Sequence, residues 1–216
     1  MKSDIDLQKD VHDAIAWDRL LSSAEIGITA KQGVITLTGI VDSFAKKTEA
    51  ENITKNVVGV KAVVEKIEVK FKDDKTKDDN EIAKDVLNAF RLNWKVPDDK
   101  VKVKVEAGGV TLEGELQWNY QKEAAKNSVI NLNGVKAVRN LIEIKSEIID
   151  DIEKKDIERA LRRSWAIDNQ DIRVEVTGKR VVLSGTVRSL FQKDEADRIA
   201  WNAPGVWTVD NGLIVE

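Results

Sequence analysis

One pattern recurs three times along this chain, without a gap inside any copy, and it restricts the fold more than any other feature. Leu37-x-Gly39 returns as Leu112-x-Gly114 and as Leu183-x-Gly185. Downstream, Gly59-Val60-x-x-Val63 returns as Gly134-Val135-x-x-Val138 and Gly205-Val206-x-x-Val209. At both landmarks the second copy lies 75 positions after the first and the third lies 71 after the second. Asp10, Asp85 and Asp156 keep this register, as do Ala14, Ala89 and Ala160, then Lys47, Lys122 and Lys193, then Ala50, Ala125 and Ala196. A chain built this way folds as three related modules in a row.

Each copy reads the same way. Leu7, Val11, Ala14 and Ile15 share one helical face, matched by Ile82, Val86, Ala89 and Phe90, which is the spacing of an amphipathic helix. Period-two strands follow at Ile26 and Ile28, at Val101, Val103 and Val105, and at Ile172, Val174 and Val176. Turns at Lys31-Gln32-Gly33, Ala107-Gly108-Gly109 and Thr177-Gly178-Lys179 lead into a second strand, Val34 to Val41 in the first copy, and complete a hairpin. A second helix starts near Ser43, carries Ala50, Ile53 and Val57 on one face, and ends at the Gly-Val pair. Glycine suits the C′ position of a helix, so Gly59, Gly134 and Gly205 are expected there. Ile67 and Val69, Ile142 and Ile144, and Leu213 and Val215 mark a last strand.

The fold class is therefore α+β, with three tandem αββαβ domains, each a three-stranded mixed sheet with two helices packed on one face. The last strand should lie parallel to the second, because the second helix carries the chain across between them. Lys102, Lys104, Arg173 and Glu175 alternate with the apolar strand residues, so the other sheet face is expected to be wet. Expected boundaries are 1–72, 78–147 and 152–216. The joint from Phe71 to Asn80 is almost wholly charged or polar and reads as a solvated tether. The joint from Ser146 to Glu153 carries Ile148, Ile149 and Ile152. Those side chains should be buried, docking the second and third copies more firmly than the first and second.

Composition removes several function classes. The chain has no cysteine, which excludes disulfides, thiolate nucleophiles and cysteine metal sites. A formal net charge of −3 argues against bulk nucleic-acid binding. No Gly-x-x-Gly loop of the type that clamps RNA occurs either. No stretch approaches the roughly 18 apolar residues of a membrane span. Met1-Lys2-Ser3-Asp4-Ile5-Asp6 carries no apolar signal core. The expected location is cytoplasmic, with the periplasm as the alternative had a leader been removed.

Catalytic signatures are missing. His12 is the only histidine and stands beside Asp13. There is no nucleophile elbow, His-Glu-x-x-His pair, phosphate loop or dinucleotide fingerprint. Asp73-Asp74 and Asp78-Asp79 lack the spacing and glycine of a calcium loop. The expectation is no catalytic residue, no metal and no cofactor. Gly39, Gly114 and Gly185 are expected to be structural, closing the second strand where a side chain would clash or φ is positive.

Six tryptophans stand out. Trp94 and Trp165 occupy matching places just after the first helix of their copies, and Trp17 lies two places earlier in its own. Trp118 stands beside Tyr120, and Trp201 and Trp207 flank the last Gly-Val pair. Two readings are open for them, packing in cores and joints or seating at a membrane interface. In Arg159-Ala160-Leu161-Arg162-Arg163-Ser164-Trp165 the arginines fall at i, i+3 and i+4 and share a helix face. Guanidinium groups grip phosphate in a bidentate way, so Arg159, Arg162, Arg163 and Trp165 are the candidate lipid-binding residues. The competing reading pairs these arginines with Asp156, Glu158 or the second copy.

Gly33-Val34-Ile35-Thr36-Leu37-Thr38-Gly39, the twenty-residue step to Gly59-Val60, and the closing Val63-x-x-x-Ile67-x-Val69 together resemble the BON domain family, the osmotically inducible protein Y-like, transport-associated module. Gly109-Val110-Thr111-Leu112-Glu113-Gly114 and Val181-Val182-Leu183-Ser184-Gly185 repeat the resemblance. The resemblance implies a non-enzymatic bacterial module that associates with phospholipid membranes, in settings of osmotic or envelope stress. The expected partner is an anionic phospholipid surface or an envelope protein. The alternative function is a protein–protein scaffold that binds no lipid.

Overall fold

The computed structural model describes residues 2–21, 24–71, 77–145, 154–167 and 171–216. The first module runs α1 (Asp4–Trp17), β1 (Glu25–Lys31), β2 (Val34–Val41), α2 (Phe44–Asn56) and β3 (Ala62–Val69). The second runs α3 (Asp79–Leu92), β4 (Val101–Glu106), β5 (Gly109–Leu116), α4 (Asn119–Ile130), β6 (Ala137–Asn140) and β7 (Glu143–Ile144). The third runs α5 (Lys154–Arg163), β8 (Ile172–Thr177), β9 (Arg180–Val187), α6 (Leu190–Trp201), β10 (Thr208–Asn211) and β11 (Ile214–Val215). The αββαβ order therefore holds three times.

The second strand is central in every sheet. It pairs antiparallel with the first strand of its hairpin, Ile28 facing Leu37, Val103 facing Leu112 and Val174 facing Leu183. Its other edge takes the last strand in parallel, Val110 beside Val138 and Val181 beside Val209. In the second and third modules that last strand is not one piece. It breaks after Asn140 and after Asn211, whose side-chain oxygens accept the backbone N–H of Ile142 at 3.2 Å and of Leu213 at 3.3 Å. Their amide groups donate to the Lys122 carbonyl at 3.0 Å and the Lys193 carbonyl at 2.8 Å. The first module has Glu65 at this place, paired with Lys47 at 2.7 Å, and its last strand runs unbroken. Glu65 also accepts the backbone N–H of its own Ile67, so this bond is common to all three modules, and the modules differ in whether the strand breaks after it.

Alternation puts Ile35 and Leu37, Val110 and Leu112, and Val181 and Leu183 on one face, all buried. Leu7, Val11 and Ile15 from α1, and Ile82, Val86 and Phe90 from α3, are the buried helical stripes. Burying each such side chain is worth about 1.5–3 kcal/mol. The third module encloses a core of its own, built from Ile157 and Leu161 of α5, Val174, Val181 and Leu183 of the sheet, and Ala196 and Ala200 of α6. On the opposite face Lys102, Lys104, Arg173 and Glu175 are exposed.

Gly39, Gly114 and Gly185 lie inside the second strand, two residues before its end, and do not close it. Their φ angles are 138°, 145° and 118°. A β-carbon would meet the carbonyl oxygen of Glu25 or Lys100 at 2.2 Å, or that of Asp171 at 1.8 Å. Here the hairpin backbones approach so closely that only glycine fits.

The tether after the first module is shorter than the polar run suggests. Asp78 caps α3, accepting the Glu81 backbone N–H at 2.8 Å, while Glu81 reaches back to the Asp78 N–H at 3.1 Å. Such reciprocal capping satisfies two donors of the first helical turn. Asp79 then spans to the hairpin, where its carboxylate accepts the backbone N–H groups of Ala107 and Gly108, both at 2.9 Å. Asp4 does the same for Gln32 at 2.8 Å in the first module. Hydrogen bonds to a charged group contribute about 1.5–3 kcal/mol when sheltered, and less at a surface. Asp79→Ala should therefore destabilise the second module by about 1–2 kcal/mol. Asp79→Asn, which keeps one acceptor, should cost less, and urea unfolding of both variants checks the ranking.

Contacts divide the chain into two compact units, residues 1–40, 46–68 and 148–216 in one, and residues 41–45 and 69–147 in the other. Inside the first unit, the first and third modules touch. The Gly59 N–H donates to the Arg188 carbonyl at 3.1 Å. The Lys55 ammonium reaches Asp194 at 3.1 Å and Glu51 at 3.0 Å. Burial opposes the Lys55 charge, but Glu51 and Asp194 outweigh it and hold the group above the usual lysine range. The repeat gives no sign of this contact, because Ile130 and Trp201 stand where Lys55 would recur. The joint at 146–153, with its three isoleucines, lies outside the described residues, as do 72–76 of the tether.

Candidate functional site

The same small turn follows the first helix of every module. The core stripe of the helix ends at Ile15, Phe90 or Leu161, and the next core contact is Leu21, Val96 or Ile167, all buried. Between them the chain makes a tight tip. The N–H groups of Asp18, Asn93 and Ser164 return to the carbonyls of Ile15 at 3.2 Å, Phe90 at 3.0 Å and Leu161 at 3.1 Å. Those of Leu21, Val96 and Ile167 return to the carbonyls of Asp18 at 3.2 Å, Asn93 at 2.9 Å and Ser164 at 3.4 Å. The Asp18 carboxylate adds a bond from the Leu20 N–H at 2.8 Å, and the Asn93 side chain one from the Lys95 N–H at 3.1 Å. Two turns of hydrogen bonding and a buried aliphatic anchor hold each tip in place.

What the tips display is large and exposed. Trp17, Leu92 and Arg163 occupy one matched position, and Arg19, Trp94 and Trp165 the other. The exposures are 89 % for Trp17, 88 % for Leu92, 84 % for Trp94 and 94 % for Trp165. The packing reading fails for these three tryptophans, because the helical stripe has already ended and the following anchor has not begun. It holds better elsewhere. Trp201 packs against the third core, Trp118 stacks on Tyr120 with ring centroids 6.4 Å apart, and the Lys179 ammonium sits 4.1 Å over the Trp207 ring.

The arginines of α5 divide. Arg159 is paired with Asp156 one turn back. Arg162 and Arg163 are exposed and have no hydrogen bond or ion pair among the described residues. Ile157 and Leu161 bury the other side of the helix, so both free cations are turned outward next to Trp165. Leu92 was not legible as a site residue. An apolar residue at that helical position looks like core, and only the place where the stripe ends reveals that it projects.

Among the described residues no other cluster gathers chemistry. His12 is exposed, 3.4 Å from Asp13. Among the described residues no group of histidine or carboxylate side chains is arranged to hold a metal ion. Among them, too, no helix is long and apolar enough to cross a membrane. Asp78 and Asp79 serve the helix cap and the hairpin, and Asp73 and Asp74 lie outside the described residues.

The sequence profile of the BON domain matches residues 3–70, 78–146 and 150–216, one match for each module. The chain belongs to the BON domain family. Among characterised BON proteins, it is 31 % identical over 131 residues to osmotically-inducible protein Y of Escherichia coli K12. That alignment covers 58 % of this chain and 64 % of the relative, so the chain spans under two thirds of the relative's length. Two solved structures of CdsD, a structural protein of the type III secretion system of Chlamydia trachomatis, are 17 % identical to the chain. Their TM-scores are 0.28 and 0.27, over 100 % of both chains in one case and 98 % and 92 % in the other. Overlap this low carries no inference. The tips, not the motif glycines, carry the most exposed tryptophans of this BON protein.

Proposed function

We propose that this BON protein is a non-enzymatic, membrane-associating protein that docks on anionic phospholipid through the tips after α1, α3 and α5. The observation that carries this reading is the exposure of a tryptophan at the hydrogen-bonded tip after the first helix of every module, at one of two positions two residues apart. One exposed ring alone needs no explanation, but a repeated display of a ring on a hydrogen-bonded tip, joined by a second apolar side chain or by cations, fits an interaction site. Tryptophan is suited to the headgroup layer, with its ring in apolar material and its N–H wet. In the third module Arg162 and Arg163 stand free beside Trp165 and complement lipid phosphate. The relative's name ties it to osmotic induction, and we extend that setting of osmotic or envelope stress to this chain.

The test is co-sedimentation of the whole chain with vesicles of phosphatidylcholine alone or mixed with phosphatidylglycerol. Binding should be much stronger to the anionic mixture and weaken as salt rises, because the Debye length falls to roughly 8 Å at physiological ionic strength. Absence of sedimentation with either vesicle would refute the reading. One observation favours a scaffold as second reading. The wet sheet face of the first module centres on Thr36, Thr38, Ile40 and Val64, uncharged where the second module carries Glu113, Glu115 and Arg139. A protein partner seated there would leave vesicle binding absent.

A further inference from the structure

The three tips are not equivalent. The first pairs Trp17 with Arg19 and the third pairs Arg163 with Trp165, one ring and one cation each. The second alone places two apolar side chains at these positions, Leu92 and Trp94, exposed at 88 % and 84 %. Around them stand Arg91 and Lys95, both exposed, with the Lys95 ammonium 5.6 Å from the centre of the Trp94 ring. An apolar pair inside a cationic collar matches the order of groups met on entering a bilayer, phosphates first and hydrocarbon beneath. The third tip lacks the second apolar residue and has two unpaired guanidinium groups instead.

Resting on the membrane reading above, we infer that the tips divide the work: the third captures an anionic surface through Arg162 and Arg163, and the second inserts Leu92 and Trp94 into the hydrocarbon boundary. The physics of the two contributions differs. Coulombic capture acts at a distance and is screened by salt. Burial of apolar surface is short-ranged and survives salt. Each therefore leaves its own signature in a salt series, without requiring a particular arrangement of the modules.

The experiment compares three full-length proteins, native, Leu92→Ser with Trp94→Ser, and Arg162→Glu with Arg163→Glu. Each is sedimented with phosphatidylcholine–phosphatidylglycerol vesicles from low to moderate salt. All four positions are exposed, and circular dichroism checks that each variant is folded. The Leu92/Trp94 variant should fall at least about tenfold below native at every salt concentration, since tenfold corresponds to about 1.4 kcal/mol of lost burial, which salt does not screen. The arginine variant should instead show a loss that is largest at low salt and shrinks as salt rises, leaving a weak residue of binding that salt hardly changes. If the Leu92/Trp94 variant follows the native curve at every salt concentration, the second tip does not insert and the inference is overturned. If both variants lose the same fraction throughout, there is no division between tips. If the native chain binds neither vesicle, the membrane reading itself fails and takes this inference with it.

Discussion

Replacing Gly185 with alanine should unfold the third module under conditions where the native module is stable. The β-carbon would be forced to 1.8 Å from the Asp171 carbonyl oxygen, far inside contact distance, and the residue would hold a φ of +118°. The atom in the way is backbone at the start of the hairpin, so a rotamer change cannot relieve the overlap. Strain of this backbone type costs on the order of 1–3 kcal/mol. Displacing the strand to remove the clash should bring the loss to about 4–5 kcal/mol, the size reached by few substitutions. A domain of this length buries only a modest fraction of its surface and has little stability in reserve. Gly178 supplies the control in the same module. Its φ is +57° and a β-carbon there would meet nothing within 4 Å, so Gly178→Ala should cost only the left-handed penalty of about 1–2 kcal/mol. Urea titrations followed by tryptophan fluorescence should show a much lower midpoint for Gly185→Ala than for Gly178→Ala. Equal midpoints would contradict the close approach.

Much of this was legible in the residues, and the reasons are local. Leu37-x-Gly39 and its two repeats dictate strand alternation plus one backbone position without room for a side chain, and both are properties of a few neighbouring residues. The helical stripes were readable because Leu7, Val11 and Ile15 recur at helical spacing. Three features were not readable. The last strand breaks after Asn140 and Asn211, but Glu65 makes the same bond to its own backbone within an unbroken strand, so the residue pattern does not announce the break. The contact between the first and third modules depends on Lys55, Asp194, Gly59 and Arg188, and the Lys55 pair is formed by a side chain that the other copies lack. Leu92, and the choice between packing and display for the tip tryptophans, needed the point where the core stripe stops, which follows from which side the next aliphatic anchor packs on. Composition cannot distinguish a tryptophan just inside that point from one just outside it.

Reversing Arg162 and Arg163 to glutamate should abolish most of the low-salt binding to anionic vesicles. Each cation close to an anionic surface contributes about 1 kcal/mol, and each glutamate put in its place repels by a similar amount. The double reversal therefore changes the capture energy by about 4 kcal/mol, on the order of a thousandfold at low ionic strength. Screening at physiological salt should shrink that loss to about tenfold. Arg159 is left unchanged, because it is already paired with Asp156 and its reversal would set two carboxylates against each other on α5. The chain's net charge of −3 opposes approach to an anionic surface, so a merely global charge effect must be separated from a local one. Lys102→Glu with Lys104→Glu makes the same change in net charge on the exposed sheet face of the second module, on β4. If the patch is what meets the membrane, this control should lose only a small part of the binding that the arginine variant loses. Equal losses for the two variants would mean that overall charge, not the end of α5, governs association.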